Sequence, residues 1–348
     1  MLSEDEQLLS HYREIRCLHR GKNVYLIQHI TTKQVFVRKI LSVYDENLYL
    51  TLKSSHIPGT PKIFHAIRDG HKLIVIEEYI RGTTLSDFIS RRGPLDLDTA
   101  LHITLKLCDI LSSLHSLRPP VIHRDITPSN VLITSSLDVF LIDFNASRQY
   151  RKNRKRDTIL MGTDKYAAPE QFGFCQSDAR TDIYSLSVLL NVMLTGFPPG
   201  EFLYRGKISK VIERACSMEP GKRYSSVKVF KKLLLNPGYY MIPIGFRSRN
   251  PIRALAGAIG YIFLGWLCFS AGFEGIYRTG PLMLCRGFTF AAMLSCIALC
   301  SNFMRITERL PLARSEIKPL RIAGILIWCF ISFTCLFLIL AVILSLIS

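Results

Sequence analysis

Two hydrophobic patterns divide this chain near residue 250. Before that point apolar residues come in short bursts, or at helical spacing among charges. From residue 255 onward they run almost unbroken. Residues 12–18, 24–30 and 35–41 are bursts separated by Gly21-Lys22-Asn23 and Thr31-Thr32-Lys33, which predicts three antiparallel strands joined by tight turns. Tyr44, Leu48 and Leu52 recur every four residues and predict a helix over 44–53. Residues 73–80 read as a buried strand ending in the acids Glu77 and Glu78. Residues 98–117 form an amphipathic helix with Ile103, Leu107, Ile110, Leu111 and Leu114 on one face. Residues 121–122, 131–133 and 139–142 are β-branched and too short for helices, and Asp138 between the last two marks a hairpin. Two more helices follow, one containing Asp182 and ending at Thr195-Gly196, the other over 225–235 and stopped by Asn236-Pro237-Gly238.

Beyond the break, residues 255–273, 287–304 and 322–348 carry no charge. At 1.5 Å per residue, nineteen residues make a helix of about 28 Å, close to the hydrocarbon thickness of a bilayer. Three such segments in a row, with no soluble domain left to bury them, predict three membrane spans at about 255–273, 287–304 and 322–347. The middle one is the weakest, with Arg286 at its start and Asn302 near its end. The organisation expected is an N-terminal segment (1–11), a mixed domain (12–235), a basic linker (236–253) and a membrane region (254–348).

Charge refines this picture. The first residues are acidic, with no apolar core of the kind a secretory signal needs. Arg247, Arg249 and Arg253 precede the first span, and Arg305, Arg309, Arg314, Lys318 and Arg321 lie between the second and third. The positive-inside rule then puts the large domain in the cytoplasm of a multi-pass cell-membrane protein, with the C-terminus outside. The net charge of +17 sits largely at these juxtamembrane sites and in the cluster 148–156. That distribution suits anionic lipid better than nucleic acid, which calls for a basic stripe with interleaved aromatics. The ten cysteines contain no Cys-x-x-Cys pair, which argues against a zinc site or a disulfide frame.

The candidate chemistry lies at the hairpin. Asp125, Asn130 and Asp143 flank its strands, so two carboxylates and an amide approach one another. Such a trio suits a divalent cation on phosphate oxygens together with a base for a hydroxyl.

His123-Arg124-Asp125-x-x-x-x-Asn130, followed by Asp143-Phe144-Asn145, resembles the catalytic core of the eukaryotic-type protein kinases, bacterial serine/threonine kinases included. Ala168-Pro169-Glu170, Asp182 and Arg223 stand at further motif positions, and the resemblance spans about residues 12–235. It implies ATP and Mg²⁺ (or Mn²⁺) as cofactors, Asp125 accepting the substrate's proton, and Asn130 and Asp143 as metal ligands. It also implies that Arg124 contacts the activation segment, that Asp182 anchors the catalytic loop and that Glu170 pairs with Arg223. The nucleotide-gripping lysine becomes Lys39; a slip of one residue selects Arg38. Its acidic partner is expected on the 44–53 helix as Glu46, or Asp45. Glu78-Tyr79-Ile80 become the adenine hinge, with Glu77 at the gatekeeper position. Six cations in 148–156 would receive phosphate on Ser147, Tyr150 or Thr158, in an activation segment that runs from Asp143 past Thr163 to Glu170.

Besides the charged Glu77 at a gatekeeper position that many kinases keep apolar, the pattern departs from the family in three places. Of the glycine-rich phosphate cover only Gly21 is present; Thr127 stands where a phosphate-contacting lysine is usual; and Asn145 replaces a glycine, at a turn where Asn best tolerates φ > 0. The expected fold class is α+β, a two-lobed protein-kinase-like fold followed by an all-α bundle of three transmembrane helices. The expected function is a membrane-anchored serine/threonine protein kinase acting on a protein substrate, with autophosphorylation as one outcome. A pseudokinase that senses nucleotide or scaffolds partners at the membrane is the alternative.

Overall fold

The computed structural model describes residues 4–149, 165–172, 176–247, 250–273, 276, 279–313, 315 and 317–347. They form two compact units, Met1–Pro237 and Gly238–Ser348.

The first unit opens with a short helix, α1 (Glu4–Ser10), before strands β1 (Tyr12–His19), β2 (Val24–His29) and β3 (Val35–Leu41). Helix α2 (Glu46–Ser55) leads to β4 (Ile63–Asp69) and β5 (Lys72–Glu78). The five strands make one antiparallel sheet in the order β1-β2-β3-β5-β4. Alternation sorts its faces: Ile27, Phe36 and Ile76 meet in a buried cluster that Leu9, Tyr12, Tyr25 and Phe64 cover. Strand β4 carries His65 between its apolar residues and ends in Arg68-Asp69, which hides its period-two signal in the sequence.

A second layer is mainly helical. Strand β6 (Thr83–Thr84) runs into α3 (Leu85–Arg92), and α4 (Leu97–Ser116) follows. Asp96 caps α4 by accepting a 2.9 Å bond from the Thr99 amide. Short strands come next: β7 (Val121–Ile122), β8 (Val131–Ile133), β9 (Val139–Leu141) and β10 (Arg148–Gln149). β8 and β9 form the expected hairpin, and β7 pairs with β10. Helices α5 (Ala179–Thr195), α6 (Ser209–Ala215) and α7 (Val227–Leu235) complete the unit. α5 is its central post, buried on nearly every face, started by a capping box between Asp178 and Thr181 and ended by Gly196 at φ 80°.

One glycine is required where the two layers meet. Gly59, in the loop before β4, has φ 83°, and a Cβ there would lie 2.6 Å from Ile110 of α4. Its carbonyl accepts the Leu141 amide at 2.8 Å, which ties the sheet-side loop to β9.

The second unit holds helices α8 (Pro251–Ser270), α9 (Thr279–Cys300) and α10 (Lys318–Ile347), each long and apolar enough to cross a membrane. Their apolar side chains largely face outward: among the described residues of α8 only Cys268 is buried, while Ile252, Ile262 and Trp266 are exposed. α9 starts well before the charge-free stretch and includes Arg286, whose Nε donates to the Ala271 carbonyl at 3.0 Å. A guanidinium that finds an acceptor need not end a helix, and the charge-based boundary at 287 is corrected for that reason. Arg247 donates to the carbonyls of Ile242 and Ser301 at 2.7 and 2.6 Å.

Candidate active site

The site is assembled by the hairpin and what braces it. Asp182, at the start of α5 and fully buried, accepts the backbone amides of His123 at 2.9 Å and Arg124 at 2.8 Å. His115 adds a third contact at 2.7 Å from Nε2. Burial pushes Asp182 up, but His115, His123 and the Arg124 amide outweigh it and hold the carboxyl below the usual range. The loop pinned in this way carries Arg124 in a left-handed conformation, φ 70°, and presents Asp125. Asn130 Nδ2 donates to Asp125 twice, at 2.9 Å to the carbonyl and 2.7 Å to Oδ2.

Asp143 follows β9 with φ 69°. The expectation that Asn145 takes the left-handed turn is corrected here: among the described residues positive φ falls at Asp143 and not at Asn145. The Asn145 side chain has another engagement, its Oδ1 accepting the Tyr49 hydroxyl of α2 at 2.8 Å. Gly21 sits in a 3₁₀ turn (Arg20–Lys22), and the left-handed residue beside it is Asn23 at φ 50°. Lys22 of that turn reaches across to Asp143 Oδ2 at 2.9 Å. Burial raises Asp143, yet the cations of Lys39 and Lys22 more than reverse this, and the carboxyl stays below its ordinary value. Gly21, Lys22, Asp125, Asp143 and Asn145 line one cleft of about 470 Å³.

Lys39 lies close enough to Asp143 for the two charges to act on each other, and Arg38 turns away. Arg38 leaves the other face of β3 to pair with Glu14 at 2.7 Å and to stack on Tyr25. Lys39 is buried, and its partner is Glu77 at 2.7 Å. Glu46 and Asp45, expected to supply that acid, begin α2: Asp45 is its N-cap, Glu46 lies in the first turn, and the buried face consists of Leu48, Tyr49 and Leu52. Burial works against the Lys39 charge, but Glu77 and Asp143 overcome it and raise the ammonium above its ordinary value. Glu78 ends β5 and exchanges bonds with the Lys62 backbone, and Ile80 follows in the connection to β6.

Thr127 is buried, with its hydroxyl 2.9 Å from Ser129 Oγ. Ser147 is fully buried and donates to the His123 carbonyl at 3.0 Å, so it offers no hydroxyl for modification, contrary to expectation. Tyr150, Thr158 and Thr163 lie outside the described residues. Arg223 grips Glu170 with two bonds, 2.7 and 2.9 Å, and Thr181 donates to Glu170 at 2.7 Å. Gln171, which the sequence reading passed over, joins this brace to the loop by donating to the Arg124 carbonyl at 2.8 Å. Its signal was position alone, next to Glu170.

Comparison with known proteins agrees with this geometry. The profile described as "Protein kinase domain" matches residues 15–234. Serine/threonine-protein kinase PknB of Mycobacterium leprae is 31% identical over 173 residues, covering 47% of this chain and 27% of the relative. A probable serine/threonine-protein kinase of Clostridium perfringens is 35% identical over 126 residues, 36% of this chain and 18% of its own length. Serine/threonine-protein kinase VIK of Arabidopsis thaliana is 30% identical over 168 residues, 47% of this chain and 38% of its own length. The matched stretches thus span well under half of each relative.

Proposed function

The chain belongs to the protein kinase family, and on that premise we propose that it is a membrane-anchored serine/threonine kinase that passes the γ-phosphoryl group of Mg-ATP to a protein hydroxyl. The observation that carries the reading is the convergence of Asp125, Asn130 and Asp143 beside an ion-paired Lys39. The donor set fits the cofactor: Asp143 and Asn130 offer the hard oxygens a magnesium ion takes, and Asp143 is held ionised by neighbouring cations. Bound Mg-ATP supplies the transferable phosphoryl group and neutralises charge on its oxygens.

The chain's own residues do the rest. Asp125, steadied by Asn130, accepts the hydroxyl proton as the oxygen attacks. Lys39 holds a phosphate oxygen with a cation whose charge its surroundings reinforce. Lys22 brings a second cation to the cleft and offsets the one absent at Thr127.

The three apolar helices fit a multi-pass anchor, with the kinase unit cytoplasmic and the C-terminus on the outer side. Arg253, at the exposed start of α8, remains suited to anionic lipid. Autophosphorylation and a protein substrate are part of the proposal.

One observation favours the non-catalytic reading. Lys22 rests on Asp143, where a magnesium ion would be bound, so metal entry has a competitor. The test uses the full chain in detergent with Mg-ATP and a generic protein acceptor, followed by phosphoamino-acid analysis. Phosphoserine or phosphothreonine that disappears in Asp143→Ala is expected. Transfer unaffected by that substitution overturns the enzyme reading, and nucleotide binding without transfer selects the sensing module.

A further inference from the structure

The acid that holds Lys39 comes from an unexpected element, and strand register explains why it can. In the β3–β5 pair, Lys39 lies opposite Val75 and Glu77 lies opposite Val37. Directly opposed residues share a face, as do residues two apart on one strand, so Lys39 and Glu77 are diagonal neighbours on one face. Such neighbours stand about 7–8 Å apart at the backbone, within reach of a lysine and a glutamate. Their charged ends meet at 2.7 Å, with side chains 7% and 8% exposed. Each charge is too buried to go unpartnered, and each is the other's partner.

Helix α2 offers no substitute. Its acids stand at its N-terminal end, and at the buried position nearest the cluster it carries Tyr49. The fields of Glu77 and Asp143 both reach the Tyr49 hydroxyl, which lies beside the pair and donates to Asn145.

We infer that Glu77 is the positioning residue for Lys39, supplied by the same rigid sheet, so the grip on nucleotide does not depend on where α2 lies. The inference rests on the nucleotide-binding reading above. In the family the lysine's acid sits on the helix, and moving that helix makes or breaks the pair. Here two neighbouring strands of one sheet hold both partners in register. The helix is linked instead to the metal-binding turn, through Tyr49 and Asn145.

The test reads Lys39 directly and does not need turnover. The full chain in detergent is acylated with acetic anhydride across pH, and modification at Lys39 is followed by mass spectrometry, with Mg-ATP affinity measured in parallel. Among the described residues, the charged groups acting on Lys39 are Glu77 and Asp143, and the Tyr49 hydroxyl lies in the fields of the same two carboxylates. Glu77→Gln is expected to move the Lys39 profile to lower pH, with about tenfold faster labelling at a given pH for each unit moved. It should also weaken Mg-ATP binding about tenfold, whereas Glu46→Gln moves neither. Glu77→Asp, which keeps the charge on a shorter arm, should lie between wild type and Glu77→Gln and serves if the glutamine variant folds poorly. Adding Tyr49→Glu to Glu77→Gln should recover part of the affinity by restoring an acid on the helix. A profile that follows Glu46, or one indifferent to Glu77, overturns the inference. Wild-type protein that transfers no phosphate but whose Lys39 profile still follows Glu77 refutes the kinase reading and leaves the pairing intact.

Discussion

Lys22 and Asp143 lie 121 positions apart in the chain and meet at 2.9 Å, joining the short turn above the cleft to the carboxylate proposed to bind metal. The lysine is nearly half exposed, so the pair is worth only about 0.2–1 kcal/mol. Lys22→Ala should therefore lower the Mg²⁺ concentration for half-maximal nucleotide binding by roughly 1.4- to fivefold at low salt, and less as salt screens the pair. A magnesium titration followed by nucleotide fluorescence checks this. An unchanged midpoint would mean that the pair does not compete with the metal.

The Glu170–Arg223 pair is buried, bidentate and supported by Thr181, and Arg223 also donates to the Ser217 carbonyl at 2.7 Å. Removing one member leaves an uncompensated buried charge, at a cost of about 3–5 kcal/mol. Arg223→Ala should lower the denaturation midpoint of the kinase unit accordingly. Arg223→Lys should rescue little, because an ammonium cannot reproduce the planar fork.

Gly59→Ala tests the junction between sheet and helices. The substitution meets both a positive φ and the Ile110 side chain. These add to a destabilisation of about 2–5 kcal/mol, read as a shifted urea midpoint.

Stability should depend on pH with a definite sign. His123 is fully buried, and burial pushes its pKa down against the pull of Asp182, Asp125 and Asp143. A depressed value contributes stability that is present above the unfolded value, about 6.5, and lost as pH falls through the folded one. Asp143 and Asp182 are also depressed, so their contribution is present above about 3.9 and is lost as pH falls through their lower folded values. Lys39 is raised and acts at the other end, its contribution being present below about 10.4 and lost as pH rises through its folded value. Urea midpoints should therefore decline from about pH 6.5 downward and again below about pH 4. A flat profile between pH 7.5 and 5 would contradict the His123 assignment.

Much of the fold was legible in the sequence because its signals are local. The bursts that became β1 to β3, the spacing of α4 and the hairpin of β8 and β9 follow from period and turn residues alone. Strand β4 and helices α1, α3 and α6 were not read: they are short, and polar residues interrupt the apolar pattern that would mark them. At the site, Asp125, Asn130 and Asp143 lie close in sequence and could be grouped from it. Partnerships between distant elements could not. The acid for Lys39 was sought on α2 because a family pattern said so, although the β3–β5 register places Glu77 within reach on the same face. Asn145 was read for its backbone and turned out to be used for its side chain. His115, Gln171 and Lys22 carry no motif; each is identified only by what it touches.

The most direct test of the account separates binding from chemistry at Asp125. Phosphoryl transfer and Mg-ATP affinity are measured side by side on the full chain, wild type against Asp125→Ala. A lost general base predicts a transfer rate lower by roughly 10²–10⁴-fold with nucleotide affinity changed by less than about threefold. Equal transfer by the two proteins would contradict the account.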